Sequence, residues 1–539
     1  MKKTIAIISV FLLLIAGYFV AQLVAKNKIE KTLAKEIEFK EVNVNLLGGK
    51  VEVLQAKYDK NAKSLVTDKI EVNGFSYYQF LVNNKIEVDQ LLVNDVEVMM
   101  TSASKKDANQ QDSKSNFDKE VVVKNVNVNG TFWFQQDSLR TLKVQHFDVA
   151  IDSLGLNSKT LKETIPFQYK DYKIQINKIA YTVNQLQDVT VKEALIQPSV
   201  ITFNTIEYKP RFSREKYVEV IPYEKDLMNL KMKQLQINDY DYSITEDFKL
   251  FAARYIELDS LDFSIYRDKT VRDDTREKDL YSKMLREMKL KLAIDSVKVK
   301  NTHLEYEELI QKSRPPGRIF FDDLNMNIYT ITNQNLDRAD FPETKIDVNT
   351  SFMGKSPFKV DWNFKINDEN DVFAISGNSF NIPESSINSF FAPAMGMKTH
   401  GTVNELYFNF RGNSDQASGE LQIAYEDFKI DALKKGSNEK NKFLNANSTG
   451  VFSTGDMSNT NFTGLKYKKN ITDGLSFVGS GFAGYTYIDK TNNSYITSST
   501  PLLTSSFTLG LAKSNFIKKN QTLGFFINQP QRVEKGNIN

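Results

Sequence analysis

Val123-Lys124-Asn125-Val126-Asn127-Val128-Asn129-Gly130-Thr131-Phe132-Trp133-Phe134 is the stretch from which the fold is read. Val126, Val128, Gly130, Phe132 and Phe134 fall on every second position, with Asn127, Asn129, Thr131 and Trp133 between them. Successive side chains of a strand point to opposite faces. The pattern therefore predicts a strand with one apolar and one polar face, as in a sheet wetted on one side. Leu290, Leu292 and Ile294, alternating with Lys291, Ala293 and Asp295, repeat it. Val126, Val128, Phe132, Phe134, Leu290, Leu292 and Ile294 are the candidate lining of an apolar surface.

A short motif recurs around these runs: apolar, Asn/Asp/Lys, small or polar, apolar, any, apolar. Val93 to Val98, Val123 to Val128, Ile237 to Tyr242, Leu258 to Phe263 and Ile294 to Val299 follow it. Its polar pair breaks strict alternation by one residue. Asn, Asp and Ser favour turn conformations, so the motif predicts a bulge or tight bend inside a strand. The intervals are irregular, which excludes a fixed-period solenoid. Such strands build either a β-sandwich with a closed core or a long curved sheet whose apolar face lines an open groove. Periodicity does not choose between them.

Other segments depart from the strand pattern. Residues 26–40 place Ile29, Leu33 and Ile37 on one helical face. Residues 101–119 are polar and nearly free of aliphatic residues, which predicts a disordered loop. Residues 275–289 predict a helix with Leu280, Met284, Leu285 and Met288 on one stripe packed on the sheet, and 313–317 a turn. From about residue 445 the chain is rich in Ser, Thr, Gly and Asn. Alternation returns there around Leu475, Phe477 and Gly479, around Phe507, Leu509 and Leu511, and around Leu523, Phe525 and Ile527. This dyad pattern resembles transmembrane β-barrel strands, but four or five strands fall short of the roughly eight that close a barrel.

At the N-terminus no residue between Lys3 and Lys26 is charged. As a helix, residues 4–25 would span about 33 Å, enough for a bilayer core of about 30 Å. The run is long for a signal-peptide core and ends without a small-x-small site, so it is read as an uncleaved anchor. Lys2 and Lys3 precede it and Lys26, Lys28 and Lys31 follow it, so the charge rule gives no orientation.

The 539 residues carry a net charge of +3, and this near balance implies no nucleic-acid partner. The absence of Cys excludes disulfides and thiolate chemistry. His146, His303 and His400 are far apart and show no metal-ligand spacing. Gly479-Ser480-Gly481-Phe482-Ala483-Gly484 matches G-x-G-x-x-G, but Tyr485 to Ile488 continue it as strand. A dinucleotide site needs a helix there, with its N-terminus toward the pyrophosphate. Acidic pairs such as Glu307-Glu308 and Asp322-Asp323 carry no mark of a catalytic dyad. The expectation is a protein that is no enzyme, with no cofactor and no metal.

Two stretches carry a family resemblance. One runs from Met284 to Val297. The other is Ile382-Pro383-Glu384-Ser385-Ser386-Ile387-Asn388-Ser389-Phe390-Phe391-Ala392-Pro393, followed by Gly401-Thr402-Val403 and by Leu406 to Gly412. Together they resemble AsmA-like proteins, the TamB/AsmA-type bridge-like lipid-transfer proteins of the Gram-negative envelope, over about residues 1–440. The resemblance implies a mainly β fold: an N-terminal transmembrane helix, then an elongated, twisted antiparallel β-sheet groove with a few short helices. It divides the chain into an anchor (1–25), a periplasmic groove domain (26–445) and a strand-rich tail (446–539). The tail resembles part of an autotransporter barrel and departs from the AsmA-like pattern. The implied function is to bind or conduct phospholipid between inner and outer membranes. That protein would be a single-pass inner-membrane protein with its bulk in the periplasm. The alternatives are an outer-membrane assembly factor that carries no lipid, working with outer-membrane assembly proteins, or an autotransporter-like adhesin.

Overall fold

A computed structural model describes residues 2–60, 62–102, 119–160, 167–244, 249–276, 278–433, 460–472, 474–486, 502–514 and 522–535; of residues 2–17 it describes the backbone only. It divides into two compact units, residues 1–213 with 229–259 and residues 214–228 with 260–539. The boundary falls inside the stretch 26–445. Strands dominate, and β1 to β18 belong to one mixed 18-stranded sheet.

The first unit begins with α1 (Lys2–Leu33). There follow β1 (Glu41–Asn45), β2 (Lys50–Lys60), β3 (Lys63–Asn73), α2 (Tyr77–Val82), β4 (Lys85–Thr101) and β5 (Glu120–Gln135). Next come β6 (Thr141–Leu156), β7 (Asp171–Thr182), β8 (Gln187–Gln197) and β9 (Val200–Pro210). Most of β10 (Leu227–Ile244) and the first half of β11 (Lys249–Asp268) complete the unit. Each strand from β1 to β10 pairs with the next. All these pairs are antiparallel except β4–β5, which is parallel, with Lys85 opposite Glu120 and Thr101 opposite Gln135. This corrects the expectation of a wholly antiparallel sheet. A hairpin needs only a few turn residues, whereas a parallel neighbour needs a long return connection. The polar stretch after β4 is that connection; most of it lies outside the described residues.

The second unit holds α3 (Arg214–Val220), α4 (Tyr281–Arg286), β12 (Lys291–Leu309), β13 (Gly317–Thr332), β14 (Thr344–Phe352), β15 (Ser356–Phe364) and β16 (Phe373–Pro383). α5 (Glu384–Phe390) runs into a π-helical turn, Phe391–Met395, before β17 (Met397–Gly412) and β18 (Ala417–Ala432). β12 to β18 form an antiparallel meander. β19 (Thr460–Thr472), β20 (Leu475–Thr486), β21 (Leu502–Ser514) and β22 (Thr522–Lys535) make a separate four-stranded antiparallel sheet. It leans on the main sheet through Phe525 against Phe410 and Phe507 against Tyr425.

The recurring motif marks bulges. Asp95, Asp239 and Ser260 sit in mid-strand with φ of 52°, 49° and 54°. The copies at Lys124-Asn125 and Asp295-Ser296 instead face such a residue on the adjoining strand, Ser153 (φ 55°) and Thr330 (φ 60°). One extra residue would flip every later side chain to the wrong face. A bulged left-handed residue absorbs it, so the apolar positions step by three and stay in register.

Two helix expectations are corrected. The anchor and the helix expected at 26–40 are one continuous helix, since nothing between residues 18 and 33 breaks it, and it ends at Leu33. Ile29 and Leu33 of the helix, and Ile37 beyond its end, pack on the cluster of Val42, Val44, Val53 and Ala56. The helix expected over 275–289 shrinks to α4. Of its stripe, Leu285 packs on the core, whereas Met284 and Met288 are exposed. Arg286 fixes α4 instead, donating to the carbonyls of Ile366 (2.9 Å) and Asp368 (2.8 Å) and to the Asp371 carboxylate (3.0 Å).

Candidate functional site

Register turns alternation into a surface. In the first unit Val42, Val53, Ile70, Val93, Val128, Val149, Ile174, Ile196, Ile201 and Ile237 are successive cross-strand partners from β1 to β10. This row contains only Val and Ile. A second row runs from Leu65 through Val98, Phe132, Val144, Ile179, Val191 and Ile206 to Met232. A third joins Met100, Phe134, Leu142, Tyr181, Val189, Tyr208 and Leu230. Val126 continues the face toward Leu91 and Ile151. Val126, Val128, Phe132 and Phe134 thus lie on one apolar face.

The opposite face is polar. His146, Asn177, Glu193, Asn204 and Gln234 are cross-strand partners there. Glu52 and Glu71 stand directly opposite each other, a repulsive arrangement in isolation. Lys50 lies 3.0 Å from Glu52 and 3.1 Å from Glu71. Lys69 lies 3.2 Å from Glu52 and also pairs with Glu71. Hydrogen bonds from Lys69, Asn73 and Lys50 hold the Glu71 carboxyl down at about 2.

Cover on the apolar face is uneven. A sheet ordinarily buries its apolar side against a second layer. Among the described residues of this unit the helices packed on the sheet are α1, against β1, and α2, against β4. In the Val/Ile row Val42, Val53 and Ile237 are buried, and the other seven remain half-buried. Burying a Val or Ile side chain fully yields about 1.5–3 kcal/mol, so the face keeps unused affinity for hydrocarbon. The row therefore keeps partly accessible aliphatic surface along its length.

A cavity of about 1080 Å³ lies over β4 to β9. Its lining combines Val98, Phe132, Val144, Ile179 and Val191 of the second apolar row with the cross-strand row of the other face, Met99, Trp133, Lys143, Ala180, Thr190 and Glu207, so it is not a feature of the apolar face alone. Lys178 and Thr205, both in the lining, are bulged residues with φ of 55° and 53°. The two bulges lie on β7 and β9 and flank Lys192 of β8, which is also in the lining.

In the second unit Val297, Ile328, Ile346, Trp362, Ile375 and Phe410 form a comparable row. This face is better covered. Leu285 of α4 and the loop residues Leu336 and Phe341 close one end. The tail sheet meets Phe410 and Tyr425 at the other. Leu292 and Ile294 lie on β12, while Leu290 precedes it and is exposed. These three belong to a different unit from Val126 and its neighbours.

The remaining sequence features resolve into structural contacts. Each histidine stands beside a carboxylate: His146 with Asp148 (3.1 Å), His303 with Asp322 (2.5 Å) and His400 with Asp431 (2.8 Å). Among the described residues no three metal-binding side chains come together. Gly479 to Gly484 lie within β20, paired on both sides. Asn388 in the quoted Ile382–Pro393 stretch exchanges hydrogen bonds of 2.7 Å with the Thr399 backbone, fixing α5 to β17. Sequence reasoning missed the exposed apolar residues of α2, whose six-residue run is too short to show a period. No family model and no curated protein matches this chain.

Proposed function

We propose that this protein binds phospholipid acyl chains along the apolar face of β1 to β10 and conducts them between membranes. The single observation behind this is the unbroken Val/Ile row across ten strands, most of it half-buried. Moving hydrocarbon out of water is worth about 0.8 kcal/mol per CH₂. A continuous track of partly covered aliphatic residues supplies that energy at each step and needs no catalytic group. The AsmA-like resemblance supports the same reading. In it α1 is the inner-membrane anchor and the strands lie in the periplasm. Among the described residues no helix is long and apolar enough to cross a membrane; the side chains of residues 2–17 of α1 are outside that set.

Photocrosslinking tests the reading. A benzophenone amino acid placed at Val128 or Ile174 is expected to capture phospholipid during purification. The same group at Asn129 or Lys173, on the polar face, is expected to capture none. Equal labelling of both faces, or none at either, overturns the proposal.

A further inference from the structure

The end of the first unit nearest α1 carries a second apolar surface. α2 has the sequence Tyr77-Tyr78-Gln79-Phe80-Leu81-Val82, and Tyr78, Leu81 and Val82 are 66%, 77% and 63% exposed. Leu47, at the tip of the β1–β2 turn, is 83% exposed. Phe75 anchors α2, packing on the Val88, Val123 and Val126 cluster and donating its N–H to the Gly49 carbonyl at 3.1 Å. Gly49 has a φ of 57°, and a Cβ there would meet the Phe75 nitrogen at 2.9 Å. The Tyr77 hydroxyl donates to the Leu46 carbonyl. Turn and helix therefore form one block, and its outward side is apolar.

The height of this block relative to α1 is fixed. The Tyr18 hydroxyl donates to the Asn45 side chain at 3.3 Å, beside the same turn. Tyr18 lies about 10 Å along the helix before Ala25, the last residue of the uncharged stretch. Phe19, Val20, Leu23 and Val24 between them are all exposed. An interfacial helix buries its apolar side about 5–10 Å into the headgroup and acyl boundary. With α1 in the bilayer, α2 and Leu47 fall at that depth. Tyr77 and Tyr78 are of the type that settles at this boundary, and Phe80 is of the type found on the buried side of interfacial helices. Lys119, 4.3 Å from the Phe80 ring, adds a cation there.

We propose that α2 and the Leu46-Leu47 turn form a foot that lies in the surface of a phospholipid bilayer beside α1. This rests on the reading of α1 as a membrane helix and is independent of lipid conduction. The foot seats the first strands, where the aliphatic rows begin, directly on the lipid. A six-residue helix alone holds a membrane weakly, and stable attachment takes two signals. α1 and α2 supply them.

The absence of Cys makes the test direct. Full-length protein with one introduced cysteine, Leu81→Cys or Leu47→Cys, is labelled with an environment-sensitive fluorophore. It is reconstituted into phosphatidylethanolamine–phosphatidylglycerol vesicles carrying a doxyl quencher high on the acyl chain. Leu139→Cys is the remote control: Leu139 is exposed in the β5–β6 turn, about 50 Å of strand away from Lys119. Leu13→Cys, with a deep quencher, reports α1 separately. The expected result is several-fold quenching at Leu81 and Leu47, with Leu139 unaffected. Labels at Leu81 and Leu47 that stay water-like while Leu13 is quenched overturn the foot and leave the anchor standing. Quenching at Leu81 and Leu47 without quenching at Leu13 overturns the anchor, and with it the foot as placed here beside a membrane-inserted α1. No quenching at any of the three overturns both.

Discussion

Asp95 illustrates how single residues hold the sheet in register. It lies in mid-β4 with a φ of 52°, and its N–H donates to the Asn129 side chain at 2.9 Å. The left-handed region costs an ordinary L-residue about 1–2 kcal/mol, and Asp, Asn and Gly tolerate it best. Asp95→Val is therefore expected to destabilise the first unit by about 1–2 kcal/mol, while Asp95→Gly is close to neutral. Urea unfolding followed by circular dichroism separates the two; equal midpoints would refute the strain argument. The bulge was legible because Asp, Asn and Ser stand where alternation slips. Lys178 and Thr205 adopt the same conformation without a turn-forming side chain, so sequence alone gave no sign of them. Gly130, in the quoted stretch, is fixed by backbone approach, since a Cβ there would meet the Val96 carbonyl oxygen at 1.9 Å. That neighbour comes from a parallel pairing no local pattern announces.

At the scale of elements, alternation and the bend motif located β4, β5, β10 to β12 and β20 to β22, because period two survives in short windows. Helices were less legible. α4 is held by polar anchors more than by its apolar stripe, so its ends did not follow from periodicity. Asn333 is 1% exposed and ties α4 to the start of β12. Its amide donates to the carbonyls of Leu285 (2.9 Å) and Leu290 (3.0 Å) and accepts from the Leu292 N–H at 2.7 Å. Asn333→Ala would leave these buried groups unpaired, at about 1–3 kcal/mol for each such group. The expected outcome is a loss of about 2–3 kcal/mol with early amide exchange in α4 and the start of β12. Unchanged exchange there would show that packing by Leu285 suffices. The candidate site was half legible. Which residues are apolar was plain, but their alignment into rows depends on register, and register depends on the bulges.

At the scale of the whole chain, the parallel joint between β4 and β5 separates this sheet from a simple meander. β4 ends at Thr101, beside Gln135, and β5 begins at Glu120, beside Lys85. The two points stand at opposite ends of a strand pair about 50 Å long. An extended chain reaches at most about 3.3–3.6 Å per residue, so about fifteen residues are the shortest tether that bridges them. Residues 102–119 exceed that by little. Scrambling the order of these polar residues is expected to leave folding intact, whereas deleting eight of them is expected to block the joint and abolish expression of folded protein. Normal expression of the shortened chain would contradict the parallel pairing. A segment of almost featureless composition thus behaves as a ruler: its letters are free to change, but its length is not.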